Sequence, residues 1–179
     1  FFHSIRKKHH AQNASKAAPK PKEGITLLQW NMSALGTVRE DGVFKHSPAQ
    51  NYIKKATQCH ATHGLLGQEH HKTDTKTVET FLRKINMIGS VTPAKKTSEK
   101  GTHGGEISAF NKNLDCVPVP TEVLAQVEKD NQFSNSTAAS IMTSKGATFI
   151  VASIYLTVGE ELSEQNYNKL LMAKQISSI

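Results

Sequence analysis

The sequence has few of the residues that mark several large protein classes. Only two cysteines, Cys59 and Cys116, occur among 179 residues, so no disulfide framework is predicted and a reducing compartment is favoured. Aromatic residues make up 6% and there is one tryptophan, which argues against the stacking platform of proteins that bind single-stranded nucleic acid. No apolar run approaches the eighteen or more residues of a spanning helix, so no membrane span is predicted.

Acidic residues are absent from the first 22 positions, although the segment is rich in basic ones. Its basic residues are Arg6, Lys7, Lys8, Lys16, Lys20 and Lys22. The other 157 residues carry 16 basic and 15 acidic side chains, so the net charge of +7 belongs almost wholly to this segment. A nearly neutral folded part argues against a large nucleic-acid-binding face outside the segment.

Residues 1–24 are predicted to form an extended basic N-terminal tail. The segment is polar and broken by Pro19 and Pro21, so it buries too little apolar surface to fold alone. Its six basic residues are predicted to contact RNA phosphates. The alternative is a solubilising or targeting remnant. An acid-free start resembles the region of a mitochondrial presequence, which predicts a mitochondrial location, and the basic run at Arg6 equally fits a nuclear address.

Residues 25–179 are predicted to form one domain with an α/β or α+β order of elements. The apolar run Ile25 to Met32 indicates a buried strand. Residues 111–136 are predicted to be mostly connection, with a possible helical turn around Val123 to Val127. The other predicted elements are a helix from Pro48 with Ala49, Tyr52, Ile53 and Ala56 on one face, a strand "LLGQE", a helix starting near Thr75 to Thr77, a strand at Glu106 to Phe110, a hairpin of "AASIMTS" and "ATFIVASIYL" joined by Lys145 and Gly146, and a last helix from Ser163.

Four stretches follow one another in a recognisable order. They are "LLQWNM" (27–32), "LLGQEHH" (65–71), "GTHGGEISAF" (101–110) and "FIVASIYLTVGEELSEQNYNKLL" (149–171). Together they resemble the front half of the endonuclease/exonuclease/phosphatase superfamily, in the version carried by non-LTR retrotransposons. The resemblance covers residues 25–179 and implies a partial DNase I-like fold, an α+β sandwich with strands flanked by helices.

The resemblance implies two site residues in this chain. Asn31 matches an asparagine at the end of the first strand, and Glu69 matches a metal-binding glutamate. Members of the superfamily use a divalent metal, usually magnesium, to polarise a phosphodiester, and magnesium needs only one or two protein carboxylates. A vestigial magnesium site at Glu69 and Asn31 is therefore expected.

Several features depart from the superfamily's usual motifs. Ser33 stands where an aspartate is frequent, Tyr155 is displaced by one position, and Thr157 replaces an asparagine. Neither an Asp-x-Asn motif nor an Asp-His pair, which position the attacking water in the superfamily, occurs in the 179 residues. The polypeptide alone is therefore predicted to be catalytically inactive and to need no cofactor.

Histidines and glycines around Glu69 have less specific interpretations. His60 and His63 have a helical i, i+3 spacing, but no second pair completes a zinc site, so exposed or capping histidines are favoured. "GTHGGE" precedes a strand and not a helix, so it is predicted to be a flexible turn and not a phosphate loop. Trp30 is predicted to pack in the core.

The sequence is compatible with three functions. The preferred hypothesis is a non-catalytic, nuclease-derived component of a ribonucleoprotein such as a mitochondrial ribosome, which binds RNA through the tail and neighbouring proteins through the domain. The alternative is the N-terminal part of a magnesium-dependent retroelement endonuclease. The third is an unrelated α/β interaction module, and in each case an apolar sheet edge covered by a partner is expected.

Overall fold

The structure, a computed structural model, describes residues 24–38, 44–46, 48–59, 62–98, 101–130, 137–144, 146–156, 166–168 and 171. The six basic residues predicted to bind RNA, which lie between Arg6 and Lys22, fall outside the described residues. Most of the helix predicted from Ser163 does so as well.

Strands and helices alternate irregularly along the described chain. In order they are β1 (Leu27–Asn31), β2 (Gly36–Val38), β3 (Phe44–His46), α1 (Pro48–Cys59), β4 (Gly64–Gln68), α2 (Thr75–Lys84), β5 (Met87–Val91), β6 (Lys95–Lys96), β7 (Thr102–His103), β8 (Ile107–Asn111), β9 (Asp115–Pro118), α3 (Thr121–Asp130), β10 (Thr137–Ser144) and β11 (Ala147–Ile154).

The helices α1 and α2 begin where the sequence predicts. Pro48 is the first residue of α1, a position where its missing N–H costs no hydrogen bond. Asp74 caps α2, because its side chain accepts a hydrogen bond from the N–H of Lys76. Ile53 is buried as predicted, but Tyr52 is 50% exposed. Tyr52 is thus the exposed member of the predicted face, and its ring lies 4.5 Å from that of Trp30.

The larger sheet has four strands in the order β1, β4, β8, β5. β1 runs parallel to β4, whereas β8 is antiparallel to both β4 and β5. The run Ile25 to Met32 contains a strand as predicted, but the prediction that this strand is buried was wrong. β1 has no neighbour on its outer side among the described strands, and Leu27 is 43% exposed. Half-buried Leu28 and Trp30 pack on the core from the other face of the strand.

The second sheet has three antiparallel strands in the order β11, β10, β9. The predicted hairpin is confirmed, with β10 and β11 paired along their full lengths. Gly146 in its turn has a φ of +77°, a conformation that glycine adopts without strain. Residues 111–136 are not mostly connection as predicted. They contribute β9, which pairs with β10, and the ten-residue helix α3, which contains the possible helical turn predicted around Val123 to Val127.

The two larger sheets face each other, and helices cover their outer sides. Small polar side chains join the sheets: the hydroxyl of Ser108 on β8 donates to the carbonyl of Val151 on β11 at 2.7 Å, and that of Ser140 donates back to the carbonyl of Ser108 at 2.7 Å. Residues of α1 and α2 form one apolar cluster with the four-stranded sheet, and residues of α3 form another with the three-stranded sheet. The predicted mixed α/β sandwich with flanking helices is confirmed.

Within the part of the chain that the structure describes, no helix has the length and apolar character needed to cross a membrane.

Candidate active site

The ends of β1 and β4 lie side by side and bring the two predicted site residues to one edge of the sheet. In this parallel pair Asn31 is opposite Gln68, the residue before Glu69. The chain leaving β1 stays attached to the chain leaving β4, because the N–H of Ala34 donates to the carbonyl of Glu69 at 2.9 Å. The side chain of Asn31 is used locally, since its oxygen accepts from the N–H of Ser33 at 3.2 Å.

The carboxylate of Glu69 is buried and held on one side only. Glu69 is 6% exposed. Its Oε2 accepts hydrogen bonds from Nε2 of His71 at 2.7 Å and from the N–H of Gly104 at 3.2 Å. Its Oε1 lies 3.4 Å from Nδ1 of His103 but accepts no hydrogen bond from the described residues. A buried carboxylate oxygen without a hydrogen bond is costly, and this one is therefore available to a ligand.

Backbone strain concentrates around this carboxylate. Positive φ angles occur at Glu69 and His71, both +59°, and in the facing loop at Ser33 and Ala34, at +47° and +114°. Non-glycine residues in this region cost of order 1–3 kcal/mol each and cluster at functional sites. The loop is also tied to the site by Lys72, whose ammonium donates to the carbonyl of Gly36. Burial lowers the pKa of Lys72.

The side chain of His70 supports the backbone behind Glu69 and is held in place by two hydrogen bonds. It is fully buried. Its Nε2–H donates to the carbonyl of Thr92 at 2.9 Å, and its Nδ1 accepts from the N–H of Lys72 at 3.0 Å. Burial lowers the pKa of His70 to about 4, and the charges of His71 and Lys72 act in the same direction. The ring therefore stays neutral at physiological pH, in one tautomer.

The "GTHGGE" stretch has a defined conformation in which its glycines are required. The N–H of His71 donates to the carbonyl of Gly104, and that of His70 donates to the carbonyl of Gly105. Both glycines have positive φ, and a Cβ on Gly105 would lie 2.4 Å from the His70 ring. The stretch thus supports Glu69 through ordinary turn contacts, and no phosphate-binding loop before a helix is present in it.

Tyr155 reaches the site from the second sheet. It follows β11, and the ring of His103 lies edge-on to its ring at a centroid distance of 5.7 Å. Burial raises the pKa of Tyr155, and the carboxylates of Glu69 and Glu106 raise it further. The phenol, which is protonated at neutral pH even at its ordinary pKa, can donate a hydrogen bond. Thr157, which stands in place of the superfamily's asparagine, lies outside the described residues.

A buried polar group beneath the site was missed by the sequence reasoning. The amide of Gln68 donates to Oγ of Ser153 at 2.9 Å, which joins the two sheets directly below Glu69. The Ser153 hydroxyl is also within reach of the Gly67 carbonyl at 3.2 Å and of Oε2 of Glu106 at 3.5 Å. Glu106 is fully buried. An acidic residue at the start of an otherwise apolar strand was the one available sequence signal.

The residues present fit a hard cation with few protein ligands. In the described ranges no three His, Cys, Asp or Glu side chains are grouped in a way that could hold a metal ion, which argues against a structural zinc there. His63 instead accepts a hydrogen bond from the N–H of Thr26, and His60 lies outside the described residues. Magnesium needs only a carboxylate oxygen and keeps several waters, and the unbonded Oε1 of Glu69 meets that need.

Comparisons with known proteins give a distant structural similarity. No protein-family model matches the chain, and no curated protein matches it. A solved structure that is similar is the endonuclease domain of TRAS1, a telomere-specific non-LTR retrotransposon, with 17% sequence identity and a TM-score of 0.47. The match covers 86% of this chain and 54% of that domain, so the chain spans about half the length of the structure it matches.

Proposed function

We propose that the ends of β1 and β4 carry a divalent-cation site that binds a phosphodiester, as the N-terminal part of a nuclease-type centre. The single observation that carries this proposal is the carboxylate of Glu69. It is buried at the meeting point of two strand ends, and its Oε1 accepts no hydrogen bond within the described chain. The strained backbone on both sides of the carboxylate supports the same proposal.

Each residue of the site has a role that follows from its contacts. His71 and the Gly104 N–H hold Oε2 of Glu69, which leaves Oε1 for the cation. A bound magnesium ion supplies electrophilic polarisation of a phosphate oxygen. Tyr155, a phenol that is protonated at neutral pH, donates a hydrogen bond towards the phosphate. Asn31 supplies an amide at the same edge of the sheet.

The test measures binding of Mn²⁺, as a spectroscopic substitute for magnesium, to the full chain and to Glu69→Gln. We expect a dissociation constant on the order of millimolar, as for sites with few protein ligands, and its loss in the variant. The matched control is Glu79→Gln, which removes a partly exposed carboxylate paired with Arg83 on α2. Equal binding by the two variants would contradict the proposal.

A plasmid-nicking assay in Mg²⁺ distinguishes a catalytic site from a site that only binds the cation. The sequence contains neither Asp-x-Asn nor Asp-His, so we expect cation binding without nicking above the level of Glu69→Gln. Nicking that depends on Glu69 would instead establish the retroelement-endonuclease alternative.

A second candidate function is RNA binding in a ribonucleoprotein such as a mitochondrial ribosome. The observation that favours it is the concentration of six basic residues and no acid in positions 1–22. Six contacts to single-stranded RNA give a slope of about −4 in a plot of log binding constant against log salt. We expect this slope for the full chain.

Replacing the six basic residues by glutamine should reduce the slope strongly. The control replaces exposed domain lysines instead, at Lys55, Lys96, Lys112 and Lys129, and should change the slope little. Salt-independent binding, or a larger effect of the control, would exclude this role for the segment.

A further inference from the structure

A concave groove lies between α1 and α2 and shares no residue with the Glu69 site. Its volume is about 600 Å³, within the range of small-molecule sites. The residues that matter for its chemistry are Lys54, Asp74, Lys76, Phe81, Lys84 and Ile85. We call this cavity the helix groove.

The helix groove has an excess of positive charge that the described chain does not neutralise. Lys54 projects from α1, and Lys76 and Lys84 from α2. None of the three forms an ion pair with another described residue. Lys84 follows Lys76 by eight positions along α2, which is about 12 Å along the axis. Like charges around one concavity repel each other unless an anion lies between them, and concave surfaces focus that field.

Asp74, the one acidic side chain among the described residues that line the groove, already accepts two hydrogen bonds from the protein. Oδ1 of Asp74 accepts from the N–H of Lys76 at 3.1 Å, and Oδ2 accepts from the hydroxyl of Thr77 at 3.0 Å. Asp74 therefore caps α2, and its formal charge of −1 is included in the net charge of the groove. Three lysines and one aspartate give the lining a net charge of +2. Further hydrogen-bond donors are present in the amide of Asn51 and the hydroxyl of Thr80.

One side of the groove is apolar. Phe81 is almost fully buried and Ile85 is half-buried, and both line the cavity. A ligand that fills the groove therefore needs a charged end for the lysines and an apolar or aromatic body for this side.

We propose that the helix groove binds a small phosphate monoester with a ring-containing body, of the nucleoside monophosphate class. A phosphate monoester carries a charge of about −1.5 to −2 at neutral pH, which matches the lining. A phosphodiester carries half that charge or a little more, so a nucleic-acid backbone is the poorer match. The lysine ammonium groups bind the phosphate oxygens, and the ring lies over Phe81 and Ile85. The proposal does not depend on the function proposed for the Glu69 site.

The test is calorimetric titration of the full chain with AMP in EDTA, which keeps cations from the Glu69 site. We expect saturable binding with a dissociation constant below about 1 mM. Adenosine, which lacks the phosphate, should bind at least about tenfold more weakly. Cyclic AMP, a phosphodiester with the same base, should bind several-fold more weakly than AMP.

Two double variants locate the site. Lys54→Gln/Lys84→Gln should weaken AMP binding about tenfold or more. Lys112→Gln/Lys129→Gln removes two exposed lysines outside the groove and should leave the binding of AMP unchanged. The substituted side chains are exposed, so circular dichroism should report the same fold in both variants. The proposal would be overturned if the two variants had equal effects, if adenosine bound as tightly as AMP, or if binding of AMP did not saturate. If an oligonucleotide bound more tightly than AMP and its binding depended on the same lysines, the groove would be assigned to nucleic acid instead.

Discussion

Substitution of Gly105 by alanine tests whether the turn behind Glu69 is held by contact with a buried histidine. Gly105 has a φ of +93°, and an added Cβ would lie between 2.4 and 2.7 Å from three atoms of the His70 ring. The ring has little freedom to retreat, because its two nitrogens bond to the carbonyl of Thr92 and the N–H of Lys72.

The expected magnitude follows from two separate costs. An alanine in this backbone region costs about 1–2 kcal/mol, and inserting a methyl group into a filled interior costs about 1–3 kcal/mol more. Gly105→Ala should therefore lower the free energy of unfolding by about 2–5 kcal/mol. Gly104 is a matched control, since its φ is +80° but an added Cβ would meet no atom within 4 Å. Gly104→Ala should show only the first cost.

The assay is urea unfolding of both variants, followed by circular dichroism. The same two substitutions are then compared in a His70→Ala background. There the excess cost of Gly105→Ala over Gly104→Ala should disappear, because the ring that it meets is gone. Equal costs of the two substitutions with His70 present would refute the reasoning.

Two further predictions concern His70 and Asp74. The pKa of His70 is about 4 in the folded chain and 6.5 in the unfolded chain. As the pH falls, the unfolded chain therefore binds a proton at His70 before the folded chain does. The free energy of unfolding should fall by about 3 kcal/mol between pH 6.5 and 4. Urea unfolding across this range should show the fall in the wild-type chain and less of it in His70→Gln, and identical pH profiles would contradict the assignment. Asp74→Ala removes the cap of α2 and should cost about 0.5–2 kcal/mol of stability, measured by thermal unfolding at pH 7. The same change raises the groove charge to +3, so AMP binding should tighten, and looser binding would count against the charge argument.

Local sequence signals predicted those parts of the fold that are held by neighbouring residues. The start of α2, the helix from Pro48 and the β10–β11 hairpin all rest on contacts within a few positions. Residues 111–136 were misjudged because Pro118 and Pro120 suggest a loop. In the structure Pro118 ends β9, and Pro120 directly precedes α3, and both positions tolerate a missing N–H.

Burial and site contacts depend on pairing between distant segments, and the sequence carries little information on them. The apolar run of β1 suggested a buried strand. In the structure β1 lies at the edge of the four-stranded sheet, without a neighbouring described strand on its outer side. Glu69 and Asn31 were identified by motif. Two groups near the Glu69 carboxylate, the His103 ring and the Gly104 N–H, are 34 and 35 residues away from Glu69 in the sequence. No local rule predicts which glycine of "GTHGGE" will donate to a carboxylate.

The edge position of β1 has a consequence for the order in which the molecule opens. β1 is joined by hydrogen bonds to β4 alone among the described strands, and 32 residues lie between its end at Asn31 and the start of β4 at Gly64. We expect pairing across so long a connection to form late in folding and to be released early. Amide hydrogens of β1 should therefore exchange with solvent faster than those of β4 and β8. Because Asn31 moves with β1, brief detachment of one strand takes the candidate site apart while the sandwich stays folded.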